Sequence, residues 1–136
     1  NVRYSIDDNF FTFWFRFIYK YSYMLEIENY ESVRTIINRD YETFSGMMLE
    51  RYFRRMMIDR QAYTRIGGWW DRKGENEIDI VAENELDNKA TFFEVKRKAE
   101  NIDLETLKSK AGAFMRVTGK FNGYAISYKG LSMDDM

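Results

Sequence analysis

The chain has 136 residues, of which 45% are hydrophobic and 18% aromatic, and these proportions exclude a disordered chain. A chain of this length forms one domain with a sizeable core. It has no cysteine and no histidine, which excludes disulfides, the usual zinc sites and nucleophiles activated by histidine. Any catalysis must therefore use carboxylates, lysine, tyrosine or a hard metal ion. The absence of cysteine fits a reducing, cytoplasmic environment.

The formal net charge of −1 is near balance, but acidic and basic residues fall in blocks. Phe44–Lys73 and Lys96–Lys120 each have seven basic and three acidic residues, whereas Glu75–Glu94 has seven acids and one lysine. An acidic block between two basic blocks suits a cation site beside an anionic polymer. Charge counts alone favour a simpler explanation, which is solvated surface of alternating charge.

The first predicted element is a helix over Asn9–Met24, for which Asp7 and Asp8 are candidate N-caps. Arg16 and Lys20 interrupt its apolar run, so it does not qualify as a membrane span. So little of the helix is polar that we expect it to be buried or docked on a neighbouring domain. Its aromatic residues recur at helical spacing, at Phe10, Trp14, Phe17 and Tyr21. This pattern is more typical of a core than of a ligand site.

Two further helices are predicted, over Tyr30–Arg39 and Asp40–Arg60. Glu50 lies in the second helix among apolar residues, and two roles are open for it. It forms an i, i+4 ion pair with Arg54, or it points toward the carboxylates of the hairpin described below. The apolar residues around it recur every four positions, at Phe44, Met48, Tyr52 and Met56.

The next segment, Ala62–Trp70, is alternating and aromatic, which predicts a strand. Gly67 and Gly68 within it allow a bend or a β-bulge. Asp71–Asn76, with the sequence DRKGEN, is a predicted turn. This strand therefore leads through a turn into the hairpin that follows.

The stretch after this turn predicts a β-hairpin. Two β-rich runs, Glu77–Glu83 and Ala90–Arg97, are joined by the polar connection Asn84–Lys89. A loop centred on this connection sets the register of the two strands. In that register Asp79 lies opposite Glu94, and Val81 lies opposite Phe92.

Side chains alternate along a strand, so the hairpin has two different faces. The predicted core face consists of Ile78, Ile80, Ala82, Phe93 and Val95. The other face gathers Asp79, Glu94 and Lys96 close together. Two carboxylates and a lysine on a rigid hairpin make this face the candidate functional site.

Carboxylate oxygens at the end of a hairpin suit a hard divalent cation such as Mg²⁺ or Mn²⁺. Such an ion polarises a phosphoryl oxygen and acidifies a bound water. In this hypothesis Lys96 positions the water or offsets transition-state charge, and Glu50 adds a ligand to the metal or supports its surroundings. The alternative is an ordinary solvated hairpin face, where a Glu-x-Lys pair opposite an aspartate is common.

Asn101 or Asp103 is predicted to cap a helix that extends to about Val117, and Gly119 is predicted to end it. Phe121–Tyr128 is the last predicted strand, and the residues beyond it are expected to be frayed. The order is helices, then helix–strand–strand–strand–helix–strand, without repeats and without proline.

Four residues near the turn are considered for nucleic-acid contact. Trp69 and Trp70 point to opposite faces of a strand, so Trp70 stacks on a base or both tryptophans are packed. Arg72 and Lys73 contact phosphates from the turn, or they are simply solvated.

Lysines that follow the hairpin extend this list. Lys98 returns to the Lys96 side of the strand, where it contributes to a basic rim or ends the strand in solvent. On the late helix, Lys108 and Lys110 either reach the site or face water, and we expect water.

Four segments of the sequence resemble a known superfamily. They are DNFFTFWFRFIYK near the start, SGMMLERYF, IGGWWDRKGENEIDIVA and FFEVKRK. The resemblance covers most of the chain, from about Tyr4 to Tyr128. Together with the order of elements, these segments resemble the PD-(D/E)XK, or restriction-endonuclease-like, nuclease superfamily. More narrowly, the chain resembles the uncharacterised C-terminal domain of archaeal-type AAA+ ATPases, which also occur in bacteria.

The resemblance implies a function and assigns residues to it. Asp79, Glu94 and Lys96 match the metal-binding and catalytic positions, and Glu50 matches the helical acid. Ile78 stands where the name of the motif has proline. The implied activity is a Mg²⁺-dependent or Mn²⁺-dependent nuclease domain that acts on DNA as the C-terminal effector of an AAA+ ATPase.

The predicted fold is α/β, with a mixed sheet of about four strands flanked by helices in a restriction-endonuclease-like core. Residues 1–40 form an aromatic-rich helical segment packed on the core or on a preceding ATPase part, residues 41–130 form the core, and residues 131–136 form a tail. The expected partners are DNA and the ATPase domain of the same full-length chain. The start at Asn1 rather than Met suggests a fragment of such a chain.

Two other functions are consistent with the same residues. A catalytically inactive module would hold nucleic acid or a partner protein, with the acidic cluster as a relic. A structural homo-oligomerisation domain would use the aromatic N-terminal helix as its interface.

Overall fold

The computed structural model describes residues 8–136. The chain divides into two units, of which the first ends at Met48 and the second comprises Leu49–Met136. Asp7, one of the two predicted caps, lies outside the described residues. Within residues 8–136, no helix has the length and apolarity that a membrane crossing requires.

The first unit begins with short helical segments. Asp8 caps helix α1 (Asn9–Phe13) through its side chain, as predicted. A π-helical turn follows at Trp14–Tyr19, and α2 comprises Ser22–Glu26. The structure therefore divides the single helix predicted over Asn9–Met24 into three segments.

Helix α3 (Tyr30–Arg60) is continuous, whereas the sequence predicted a break between Arg39 and Asp40. The side chain of Asp40 does not cap a new helix. It lies 2.8 Å from Arg39 Nε and 3.5 Å from Arg16 Nη2. Because these arginines satisfy the carboxylate, nothing at Asp40 competes with the helical backbone.

Only part of the predicted aromatic stripe is buried within the first unit. Phe17 is fully buried, and its ring centroid lies 5.0 Å from that of Phe13 and 5.3 Å from that of Phe44. Tyr21 is also buried, but Phe10 and Trp14 are exposed. The stripe therefore supplies a small core and leaves aromatic surface uncovered.

The second unit contains a four-stranded mixed sheet in the order β1-β2-β3-β4. β1 pairs with β2 and β2 with β3 in antiparallel fashion, whereas β3 and β4 are parallel. Helix α4 (Leu104–Thr118) lies in the chain between the two parallel strands, as a parallel crossover requires. The strands are β1 (Arg65–Trp70), β2 (Glu77–Asn84), β3 (Lys89–Val95) and β4 (Ala125–Leu131).

Both faces of this sheet are covered by apolar side chains. On one face, Leu49, Phe53 and Met57 of α3 pack with Ile80, Ala82, Phe93 and Val95. On the other face, Leu107, Ala111 and Phe114 of α4 pack with Ile78 and Phe92. The structure therefore confirms a mixed sheet flanked by helices.

The hairpin register is confirmed, because Val81 pairs with Phe92. The prediction that Ile78 shares a core face with Ile80 is wrong. The β1–β2 pairing shifts between Gly67 and Trp69, so that β2 has one residue more than β1 in this interval. Such a β-bulge turns the preceding side chain to the other face, and Ile78 packs against α4 instead.

The end of the chain is more ordered than predicted. Asp103 caps α4, and Gly119 ends it in the left-handed conformation with φ 65°, both as predicted. β4 begins later than predicted and continues to Leu131. A 3₁₀ turn then follows at Met133–Asp135, where the side chain of Ser132 accepts a hydrogen bond from the backbone.

Candidate active site

The carboxylates and the lysine predicted to gather on the hairpin do line one cavity. This cavity has a volume of about 110 Å³ and lies at the end of the hairpin opposite its loop. Its polar side chains come from β2, from β3 and the residue after it, and from α4. They are Glu77, Asp79, Glu94, Lys96 and Lys110.

Asp79 lies at the bulge of β2, where its side chain takes the place of a strand carbonyl. Its Oδ2 accepts a hydrogen bond from the backbone N–H of Val95 at 2.8 Å. Burial raises the pKa of the Asp79 carboxyl above its ordinary value, although this hydrogen bond and the charges of Lys96 and Lys110 lower it. The carboxylate is therefore both oriented and desolvated.

Glu94 is held by the start of α4. It is 9% exposed, and its Oε2 accepts a hydrogen bond from the backbone N–H of Asp103 at 2.7 Å. Asp103 is the N-cap residue of α4, and Asp103 Oδ1 accepts a hydrogen bond from Thr106 N–H at 3.1 Å. This hydrogen bond of Glu94 ties one of its oxygens to the amino end of the helix, where backbone N–H groups lack partners within the helix.

These two carboxylates fit a divalent cation. The other oxygen of each carboxylate, Asp79 Oδ1 and Glu94 Oε1, accepts no hydrogen bond from residues 8–136. Neither of these two oxygens is among the buried polar atoms that lack a partner. Within the same residues, no group of three or more acids is arranged to hold a metal ion by itself. Mg²⁺ keeps several waters and needs only one or two carboxylates together with substrate phosphates. The two carboxylates are thus within the number of protein ligands that a hydrated Mg²⁺ ion takes.

Two lysines face the acids in this cavity. Lys96 is exposed and follows β3, and its backbone N–H donates to Leu131 O at 3.0 Å. Lys110 is half-buried on α4 and lines the same cavity, so the expectation that it faces water is wrong. The apolar positions of α4 that flank it, Leu107 and Ala111, are the signal that Lys110 lies at the edge of the packed face.

Glu50 does not line the cavity but lies near it. Its Oε1 is 2.9 Å from Arg54 Nη2, so the i, i+4 pair, one of the two roles left open for Glu50, is formed. Burial raises the pKa of the Glu50 carboxyl, the charge of Arg54 lowers it, and the charges of Asp79 and Glu77 raise it further. The structure thus brings Glu50 close to the acids of the hairpin while Arg54 holds its side chain.

Glu77 lines the cavity as well, although it was not among the predicted site residues. It is the first residue of β2, and its carboxylate lines the cavity beside Asp79. The signal was present, because Glu77 precedes Asp79 by two residues and alternation places such residues on the same side.

The candidates for nucleic-acid contact lie outside this cavity. The ring of Trp69 packs against Phe114 at 5.4 Å between centroids, whereas Trp70 is 63% exposed, so the alternative in which both are packed is wrong. Arg72 and Lys73 are exposed in the turn before β2. Lys98 is also exposed. The cavity is lined by none of the four candidates, Trp70, Arg72, Lys73 and Lys98.

Comparison with known proteins places this chain among uncharacterised relatives. A family model named DUF234, described as archaeal and bacterial proteins of unknown function, matches residues 14–117. An uncharacterised protein of Methanocaldococcus jannaschii is 37% identical over 105 residues, which is 71% of this chain and 23% of that protein. The chain thus spans about a quarter of the length of this relative. No solved structure matched the chain.

Proposed function

We propose that this chain, which belongs to the DUF234 family, is a metal-dependent nuclease domain acting on DNA. The family comprises archaeal and bacterial proteins of unknown function. The observation that carries this proposal is the convergence of Asp79, Glu94 and Lys96 on one cavity. A restriction-endonuclease-like core is part of the proposal. It is supported by the element order helix, three strands, helix, strand around a mixed sheet.

Asp79 and Glu94 would hold Mg²⁺ or Mn²⁺ in this proposal. When bound, such an ion polarises a phosphoryl oxygen and lowers the pKa of a coordinated water. The chain itself supplies orientation, because the amides of Val95 and Asp103 each fix one carboxylate oxygen, and the other oxygen accepts no hydrogen bond from residues 8–136. Preorganised carboxylates of this kind need no rearrangement when the substrate binds.

Lys96 and Lys110 are the groups that would bind the phosphodiester. Both line the cavity together with the acids, and neither is held in an ion pair within residues 8–136. A lysine is a mobile point charge that can follow a phosphate as negative charge develops on it. We assign Lys96 to the attacking water or the transition state and Lys110 to the phosphate.

Contacts beyond the scissile phosphate would come from the exposed turn and from the end of β3. Trp70 offers a stacking surface for a base, and Arg72 and Lys73 offer charges for phosphates. Lys98 extends the positive charge beyond Lys96. Sequence-independent binding to the DNA backbone is what such groups support.

The proposal also includes an ATPase in the same full-length chain, of which this domain would be the C-terminal effector in the cytoplasm. The relative from M. jannaschii is about four times as long as the matched region, so it has room for such a part. The exposed aromatic side chains of the first unit, Phe10 and Trp14 among them, would suit a surface that packs on it.

Cleavage of duplex and single-stranded DNA with Mg²⁺ or Mn²⁺ tests the proposed activity. Glu94→Ala removes a proposed metal ligand, so we expect the cleavage rate to fall by more than about 100-fold. Substitution of a residue that only hydrogen-bonds to a metal ligand already lowers activity by about 10- to 100-fold. Glu100→Gln changes an exposed acid outside the cavity and is the matched control. Equal cleavage by the wild-type domain and Glu94→Ala would contradict the proposal.

One observation favours a second candidate, a nuclease-like module that binds nucleic acid or protein without cleaving. Within residues 8–136 no three acids form a complete metal site, and Arg54 holds the helical acid Glu50. Titration of Mn²⁺ in the presence of a DNA duplex separates the two. Binding that depends on Asp79 supports the nuclease, and DNA binding without any Mn²⁺ uptake supports the inactive module.

A further inference from the structure

Arg54 connects helix α3 to the candidate site. Its Nη2 donates to Glu50 Oε1 at 2.9 Å and to the backbone carbonyl of Asp79 at 2.5 Å. Its Nε–H is buried and has no acceptor among residues 8–136. A buried donor without a partner is unfavourable. The position of the guanidinium therefore satisfies Nη2 with two acceptors and leaves the hydrogen bond of Nε unmade.

Gly68 provides the space in which Arg54 reaches β2. A Cβ atom at this position would lie 2.6 Å from Arg54 Nη2 and 3.0 Å from the carbonyl oxygen of Asp79. At the neighbouring Gly67 a Cβ atom would meet nothing within 4 Å. The absence of a side chain is therefore required at Gly68 and not at Gly67.

The contact falls where the regular β1–β2 pairing is interrupted. The β1–β2 register shifts beside Asp79, and a bulge leaves backbone groups without their usual ladder partners. Arg54 supplies the partner for the Asp79 carbonyl, while Val95 N–H holds the Asp79 carboxylate. Asp79 is thus fixed at both its backbone and its side chain.

We propose that Arg54 is a positioning residue for Asp79, and that Glu50 acts on the site through Arg54 and not as a metal ligand. Glu50 orients the guanidinium, and Gly68 gives it access to the bulge. The effect on metal binding by Asp79 rests on the proposed function. Its structural part, the ordering of Asp79 by Arg54, is testable without metal or DNA.

A neighbouring arginine shows that the arrangement of Arg54 is not a general property of the helix. Arg55 also forms an i, i+4 pair, with its Nη2 at 2.9 Å from Asp59 Oδ1. Its side chain is 72% exposed, compared with 35% for Arg54. The two pairs have the same spacing and the same charges, so Arg55 is the matched control.

The first test compares two amide substitutions in Mn²⁺ titration of the full domain. Glu50→Gln keeps an oxygen that accepts from Arg54, so we expect the Kd for Mn²⁺ to rise less than threefold. Asp79→Asn removes a metal ligand, and we expect a rise of more than about 100-fold. A loss of equal size in Glu50→Gln would make Glu50 a metal ligand and overturn the proposal.

The second test follows the Val95 amide by hydrogen exchange in the domain without metal or DNA. We expect this amide to exchange at least about tenfold faster in Gly68→Ala and in Arg54→Lys than in the wild-type domain, while the amide of Phe93 is unaffected. Gly67→Ala and Arg55→Lys are expected to exchange like wild type. Unchanged exchange of Val95 in both Gly68→Ala and Arg54→Lys would overturn the proposal.

The two tests also separate this inference from the proposed nuclease. A wild-type domain that binds no Mn²⁺ with DNA present refutes the nuclease, while faster Val95 exchange in Gly68→Ala still shows that Arg54 orders Asp79. Where the nuclease is active, the kinetic expectation is specific. Arg54→Lys lowers kcat about tenfold or more with KM for DNA unchanged, because Arg54 contacts Asp79 and not the substrate.

Discussion

The two ends of the β2–β3 hairpin contain the same kinds of residue and place them in opposite environments. At the loop end, Glu85, Asp87 and Lys89 are exposed to solvent. At the other end, Asp79 and Glu94 lie in a cavity with one oxygen each bound to a backbone N–H. Acidic residues on a hairpin are therefore not informative by themselves.

The difference lies in what each end does with its polar groups. At the loop end, the side chain of Asn84 accepts hydrogen bonds from Leu86 N–H at 3.1 Å and Asp87 N–H at 3.2 Å, and so satisfies the backbone of the turn. At the cavity end, backbone amides satisfy side chains instead. The first arrangement stabilises the turn, and the second fixes the orientation of two carboxylates that line a cavity.

The largest expected contrast between the two ends is in metal binding. Asp79→Asn keeps the acceptor for Val95 N–H but removes the charge, so we expect the affinity for Mn²⁺ to fall more than about 100-fold. Asp87→Asn, at the exposed loop end, is expected to bind Mn²⁺ like wild type. Isothermal titration with a DNA duplex present measures both, and equal losses would remove the distinction between the ends.

Acidification should act on the cavity end before the loop end. Because burial raises the pKa of Asp79, its proton competes with the metal at a higher pH than an ordinary aspartate would allow. Below that pKa we expect Mn²⁺ affinity to fall about tenfold per pH unit. Titrations from pH 7 downward check this, and a constant affinity down to the ordinary pKa of aspartate would contradict it.

The same pKa predicts a stability difference of known sign. A carboxyl whose folded-state pKa is raised favours the folded state less as the pH rises above its unfolded-state pKa. Asp79→Asn is therefore expected to unfold at a higher temperature than wild type at pH 7, a difference that disappears at low pH where both side chains are neutral. Thermal unfolding at both pH values measures this difference in unfolding temperature. A lower unfolding temperature for Asp79→Asn than for wild type at pH 7 would contradict the statement that burial of the Asp79 carboxylate is unfavourable.

A smaller effect is expected for the lysines at the two ends. Lys110→Met removes the phosphate contact proposed above, which should reduce the salt dependence of DNA binding by about 0.9 in log–log slope. Lys89→Met at the loop end should leave this slope unchanged. Fluorescence anisotropy over a range of salt concentrations, in the Asp79→Asn background to prevent cleavage, compares the two. An unchanged slope in Lys110→Met would place the phosphate elsewhere.

The smallest effect belongs to the loop end. Asn84→Ala removes the acceptor for two turn amides, and we expect a loss of about 1 kcal/mol in the free energy of unfolding. Metal binding should be unaffected, because Asn84 lies at the far end of the hairpin. Urea unfolding and Mn²⁺ titration on the same sample test both statements, and a loss of metal affinity would show that the ends are coupled.

Much of this hairpin could be predicted from the sequence, because it depends on local interactions. The alternation of the two runs and the position of the loop predicted the pairing of Val81 with Phe92, which the structure confirms. The caps at Asp103 and Gly119 were predicted for the same reason, since a cap is a contact between residues close in the chain.

Errors arose where a local pattern had more than one outcome. Gly67 and Gly68 indicated a bulge, but its consequence, the turning of Ile78 to the other face, depends on which strand contains the extra residue. The absence of a break at Asp40 depends on Arg16, which lies 24 positions away in the sequence and supplies part of its charge partner. Periodicity within one helix contains no information about such a partner.

The sequence by itself determined the residue types of the candidate site, the register that places Asp79 beside Glu94, and the exclusion of histidine and cysteine chemistry. Only the tertiary structure decided that Lys110 joins the cavity and that Arg54 binds the carbonyl of Asp79. The reason is physical. Pairing within a hairpin follows from alternation and loop length, whereas contacts between a helix and a distant strand follow from how their side chains pack, and packing is a property of the whole unit.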